Sequence, residues 1–386
     1  MLSGDLNPRL LLARPRPLDD ELFSSWVIRL AAANVLKLKT FSRKKLELPS
    51  DFWRHDVDRF ANAEVTSRLA KVTGITNERA FLTTLAAYEG VLYEKHAAIG
   101  PQRWLLAVGK GSSWVLHGQQ FCPLCLATDQ IPYFRRRWRL SLSFACLKHN
   151  VLLMDDCPQC NATISFHEGD FHQLTLPDKR PMTSCHRCGM DWRHRANNLA
   201  PIPAKLLIAQ TNIYRILDEN YPLLGRHQPS FPHLFFDGLH LILRALSSNG
   251  HTRSLRDYLS RESGTEPYPT PFRTPLIRFD ELRVKERAPL LEMAQGLLKD
   301  WPNRFLASCR SAGLSSTYLL EYRKTCPAPY WYASVIEWNL NQTPYRPCEA
   351  EREAVRQYLR RRWLPDGANS VNRWLGTHFT SKSRTV

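Results

Sequence analysis

Three C-x-x-C pairs (Cys122 and Cys125, Cys157 and Cys160, Cys185 and Cys188) and one C-x-x-H pair (Cys146 and His149) lie within one stretch of the chain. Two residues between donors is the spacing of a knuckle turn, which lets both donor atoms face a single ion, with sulfur at about 2.3 Å. Eight donors suffice for two four-coordinate zinc sites. In sequential order these are Cys122, Cys125, Cys146 and His149, then Cys157, Cys160, Cys185 and Cys188. Spacing alone leaves interleaved ligation open. Each site closes with four good ligands and no carboxylate placed as a base, so the two zinc ions are expected to be structural rather than catalytic. His167, His172, His186 and His194 are left over and read as exposed or supporting side chains. Cys309, Cys326 and Cys348 stand alone and read as small buried apolar residues.

The insert inside the first site reads "YFRRRWR", with Arg135, Arg136, Arg137 and Arg139 beside Tyr133, Phe134 and Trp138. Arginine among aromatics is the composition of surfaces that meet phosphates and bases. Trp138 is expected inside the finger, and some of the four arginines at a nucleic-acid partner.

The whole chain points the same way. A net charge of +17 over 386 residues, with 53 Lys and Arg against 36 Asp and Glu, suits contact with a polyanion. No apolar run reaches the ~18 residues of a membrane span. The opening "MLSGDLNPRLLLARPRPLDDE" lacks the pattern of a secretory signal, so a cytoplasmic, bacterial-type setting without membrane attachment is expected, where paired cysteines hold metal rather than disulfides. No phosphate-binding loop occurs: "VGKGSSW" (Val108 to Trp114) has the wrong spacing. Nothing argues for an enzyme.

The elements that must position these residues read as mainly α. Leu22, Trp26, Leu30 and Ala33 make a helical stripe within residues 17–41, with Asp19, Asp20 and Glu21 suited to its positive end. Between Ala63 and Tyr88 two helical patterns meet at Gly74, with Thr76 or Asn77 able to cap the second, which resembles a helix-turn-helix. Helix resumes after Pro201 and Pro203. Residues 247–274 read as a long loop, further helix is interrupted at Pro302, and "EREAVRQYLRRRWLP" ends in a basic turn. The expected organisation is an N-terminal helical domain with the helix-turn-helix-like element (1–118), a tandem zinc-binding module (119–200) and a C-terminal helical domain (201–386).

Three segments resemble a known family. "RPRPLDDELFSSWVIRLAAAN" is similar to the start of TniQ proteins, relatives of TnsD, whose first helix reads R-P-x-P-x-x-x-E-x-x-x-S-W-x-x-R-x-A. Arg14, Pro15, Pro17, Glu21, Ser25, Trp26, Arg29 and Ala31 fill those places. Cys122, Cys125, Trp138, Cys146, His149, Leu153, Cys157 and Cys160 match that family's zinc-finger signature, and "LLKDWPNRF" weakly resembles its W-P-x-x-F segment. Val35 departs from the pattern, where the family usually has glycine. The resemblance implies a non-catalytic target-selection factor for DNA transposons. Such a factor binds target DNA itself or rides on a CRISPR effector complex with its guide RNA. It recruits an AAA+ ATPase regulator of the TnsC or TniB type, through which it reaches the transposase, and a homodimer is left open. The competing readings are a zinc-finger transcription regulator and a nuclease or transposase subunit, the last distinguished by metal-dependent strand cleavage.

Overall fold

The computed structural model describes residues 10–110, 115–168, 182–219, 224, 229–264, 279–320, 328–341 and 347–375. Helices dominate, as the patterning implies. The N-terminal part contains α1 (Phe23–Ala33), α2 (Leu38–Lys45), α3 (Val57–Phe60), α4 (Ala63–Thr73) and α5 (Asn77–Phe81). A hairpin of β1 (Val108–Lys110) and β2 (Val115–His117) precedes α6 (Pro123–Thr128), and a second hairpin pairs β3 (Ala145–Cys146) with β4 (Val151–Leu152). The C-terminal part holds α7 (Ala204–Glu219), α8 (Pro232–Ser247), α9 (Arg253–Glu262), α10 (Val284–Leu298), α11 (Asn303–Ser311), α12 (Ser316–Leu320), α13 (Tyr330–Leu340), α14 (Glu349–Arg361) and α15 (Ala368–Trp374).

The first helical stripe is shorter than residues 17–41 suggested. Helix α1 stops at Asn34, and Val35 turns the chain with φ 54° before α2 begins. Asp19, Asp20 and Glu21 lie outside the first turn of α1, and Asp20 itself has φ 54°. Acidic groups there serve arginines rather than the helix dipole. Helices α4 and α5 do meet at Gly74, whose φ of 73° ends α4, and Thr76 caps α5 by accepting from Arg79 N. The second helix is only five residues long. The expected loop at 247–274 contains α9, held by Leu255 and Leu259 and by Arg256, which is buried and donates to Leu246 O at 2.9 Å. An arginine in a core position disguised that helix. Residues 265–278 of the expected loop lie outside the described residues.

Two apolar cores organise these elements. The smaller gathers Phe23, Trp26, Leu30, Phe41, Phe52 and Leu69 in the N-terminal helices. The larger runs from Leu22, Leu85 and Trp104 through the cysteine-rich region to Leu239, Leu291 and Ile336. It crosses the boundaries expected at 118/119 and 200/201. Close approach within it has a glycine at one point: a Cβ on Gly238 of α8 would stand 2.1 Å from the Trp331 ring of α13.

Candidate metal centres and the arginine block

The first donor group is assembled by one helix start and one hairpin. Cys122 caps α6 with Pro123 in the first turn, and its sulfur accepts from Cys125 N at 3.4 Å. Across from it, β3 and β4 pair Cys146 with Val151, and Asn150 at φ 57° closes the tip by donating to Cys146 O at 2.8 Å. That turn carries His149 back over the sulfurs. Nδ1 of His149 then lies 3.6, 3.4 and 3.5 Å from the sulfurs of Cys122, Cys125 and Cys146. Its Nε2 lies 3.3 Å from Thr128 Oγ1, a partner that holds the ring with Nδ1 inward.

Two further knuckles build the second group. Asn161 at φ 53° donates to Cys157 O at 2.8 Å, and Gly189 at φ 73° donates to Cys185 O at 2.9 Å. The turns face each other with Cys157 and Cys188 sulfurs 3.7 Å apart and those of Cys160 and Cys185 also 3.7 Å apart. In each group all four donor atoms lie within 4.8 Å of one another. The grouping is therefore sequential, not interleaved.

The donor sets fit a tetrahedral ion. Ligands at about 2.3 Å for sulfur stand about 3.7 Å apart across a tetrahedral angle, close to the 3.6 Å between the Cys125 and Cys146 sulfurs and the 3.7 Å separations of the second group. Contact with Cys122, then with Cys146, then burial hold the Cys125 thiol well above its usual range. Crowded sulfurs resist ionising together, and a dication at their centre removes that cost. The first group is embedded, with Cys122 and Cys125 at 0% and 1% exposure, while Cys188 of the second is exposed. None of the spare histidines joins either group among the described residues. His167 stacks on Trp53 and burial pulls it down to about 4; His186 lies 3.5 Å from Glu168. His172 and Cys326 lie outside the described residues. Cys309 is buried as expected, but Cys348 is exposed, where it caps α14 instead of filling a core. The residues missed by spacing alone were Asn150 and Asn161. Asparagine directly after the second donor is the same left-handed signal that Gly189 gives.

The arginine block is ion-paired within the chain. Arg135 Nη2 donates to Asp129 at 2.7 Å and its guanidinium covers the Trp138 ring. Arg136 and Arg137 both turn to Asp20, Arg137 Nε donating at 2.8 Å, and Arg136 also donates to Leu82 O at 2.7 Å. Arg139 is 1% exposed and donates to Asp56 and Asp58. All four arginines are thus paired to carboxylates within the chain, with Arg135, Arg136 and Arg137 partly exposed and Arg139 buried. Their carboxylate partners lie 6 to 117 residues away in sequence. Trp138 is inside, at 2% exposure.

The residues that carried the family resemblance lie on the other side of this joint. Glu21, fully buried, accepts from Arg29 Nε and Nη2 at 2.7 and 2.6 Å and from Ser25 Oγ at 3.0 Å. Ser25 Oγ in turn accepts from Phe134 N at 3.0 Å, and Leu22 N donates to Phe134 O at 2.9 Å. Trp26 Nε1 donates to Pro15 O at 2.8 Å, which folds the proline-rich lead back onto α1. The motif is thus a buried clasp between α1 and the cysteine-rich region. No curated protein matches the chain. Residues 12–153 match the TniQ family model, a span that contains this clasp and the whole first donor group. The likeness to the TniQ family is thus carried by residues 12–153 of the 386-residue chain.

Proposed function

We propose that the chain is a target-selection factor of a DNA transposon. It couples target DNA, reached directly or through a CRISPR effector complex, to an AAA+ ATPase regulator of the TnsC or TniB type, and so to the transposase. The TniQ match over residues 12–153 carries this reading. The net charge of +17 supports a nucleic acid in the assembly. In this reading the chain performs no chemistry of its own. Cys122, Cys125, Cys146 and His149 hold one zinc ion and Cys157, Cys160, Cys185 and Cys188 another, both as scaffold. Tetrahedral spacing and four strong donors per group support zinc over a hard cation, which prefers oxygen.

A pull-down with the AAA+ ATPase encoded beside it tests the reading, with and without target duplex and with and without any effector complex encoded nearby. Retention of the ATPase that increases with DNA is expected. DNA dependence without an effector supports direct targeting; dependence on the effector supports attachment to it. No retention under any of these conditions rejects the adaptor role.

A further inference from the structure

With the finger arginines committed internally, the free positive charge has to be sought elsewhere, and the hairpin of α14 and α15 offers it. Leu359 and Val371, each 1% exposed, hold its two helices. Beyond them the surface is aromatic and basic. Trp363 is 96% exposed, Trp374 55% and Tyr358 37%. Arg361, Arg362 and Arg373 are exposed around them, and among the described residues none has an acidic partner. Arg362 stacks over Tyr358 at 4.8 Å, and Tyr358 meets Trp374 edge-on at 5.1 Å. Arg360 is paired with Asp366 at 2.6 Å.

The resting helix explains part of this. Glu349 and Glu351 in the first turn of α14 and Arg360 and Arg361 in the last suit its dipole. The dipole does not explain the tryptophan. Trp363 has φ 56°, and the turn after α14 is closed by Trp363 N to Arg360 O and Leu364 N to Leu359 O, each at 3.0 Å. A bulky residue at positive φ is uncommon, and here the turn holds the indole out into water. Burying that ring nearby would be the ordinary outcome for a tryptophan.

We propose that this hairpin binds an unpaired nucleic-acid strand, with a base stacked on Trp363 and phosphates on Arg361, Arg362 and Arg373. Guanidinium groups alone would suit any phosphate backbone. An indole presented beside them needs an accessible base face, and the bases of a paired duplex are stacked away. This deepens the adaptor reading by naming the chemistry of its nucleic-acid partner, yet it rests on the hairpin alone.

The test is fluorescence anisotropy of the full, metal-loaded chain with a labelled single strand of about 20 nucleotides and with the duplex of the same sequence. The single strand should bind more tightly than the duplex. Trp363→Ala should weaken that binding about tenfold or more, in keeping with the loss of one stacked base. Arg361→Gln with Arg373→Gln should lower the slope of log affinity against log salt by about 1.4. Trp338→Ala removes an equally exposed tryptophan from α13, 85% exposed, and should change nothing. Duplex binding as tight as single-strand binding, parental affinity in Trp363→Ala, or no binding of either probe overturns the proposal. ATPase retention by the parental chain in the pull-down is read independently of strand binding, so the two readings fail separately.

Discussion

Arg139 and Asp58, 81 residues apart in the chain, meet at 2.9 Å with almost no solvent on either side chain. Arg139 Nη2 reaches Asp56 as well, at 2.6 Å, and Ser24 supplies Asp58 with two more hydrogen bonds. This buried cluster joins the N-terminal helices to the cysteine-rich region. Removing the guanidinium strands two carboxylates, so Arg139→Ala should destabilise the protein by about 3–5 kcal/mol. Arg139→Lys should recover only part of that, because an ammonium cannot match the forked geometry. Denaturant unfolding measures both. Parental stability with weakened nucleic-acid binding would instead return Arg139 to a surface role.

The two donor groups should release metal at different rates. Cys188 is exposed and Cys160 partly so, whereas the sulfurs of the first group sit inside the larger core. A strong chelator should therefore remove one zinc equivalent quickly and the second only with global unfolding. Elemental analysis at timed intervals follows the two steps. Cys188→Ser should abolish the fast one and leave one equivalent bound. A single-phase release of both ions would contradict the difference in embedding.

Val35 occupies a left-handed position, φ 54°, and is 67% exposed. A β-branched side chain there stores strain and buries nothing in return. Val35→Gly, the residue usual in the family, should stabilise the chain by about 1 kcal/mol. The denaturant midpoint should rise with an unchanged slope. A fall in the midpoint would mean that the extra freedom glycine brings to the unfolded chain outweighs the relief.

Asp280 is pushed up to about 6, by burial above all, against hydrogen bonds from Ser141 and Trp104 and the charge of Arg287. The native state thus keeps a proton that the unfolded chain loses near 3.8, the ordinary value for an aspartate. Its contribution to stability is present at low pH and is lost as pH rises through about 6. Asp280→Asn carries no such titration. Relative to the parent, the variant should gain stability between pH 5 and pH 7.5, read from unfolding curves at the two pH values. A constant difference would show that Asp280 is ionised throughout.

The helices and the metal donors were legible for different reasons. Donor pairs announce themselves because ligation needs a fixed local spacing, and the helices around Leu22 and Gly74 because packing repeats with the helical turn. What escaped notice depends on distant partners. The "FRRRWR" block has the composition of a nucleic-acid surface, and only the fold reveals that Asp20, Asp56, Asp58 and Asp129 arrive to meet it. Helix α9 escaped because Arg256, buried among apolar neighbours, breaks the pattern its leucines begin. Clustered charge says little about direction until the opposite charges have been placed.

Gln210 of α7, fully buried, accepts from the backbone N–H groups of Phe144 and Ala145 at 2.7 and 3.0 Å, just ahead of Cys146. A helix from the far half of the chain thereby finishes the strand that delivers a metal donor. The stretch recognisable as TniQ ends at residue 153, inside the larger core and short of that helix. The matched stretch and the packed core are therefore different lengths of polypeptide. A chain cut at residue 200 would keep all eight donors and still expose two orphaned amides and a raw apolar flank, inviting aggregation. Grafting this domain onto another protein would require carrying α7 along with it.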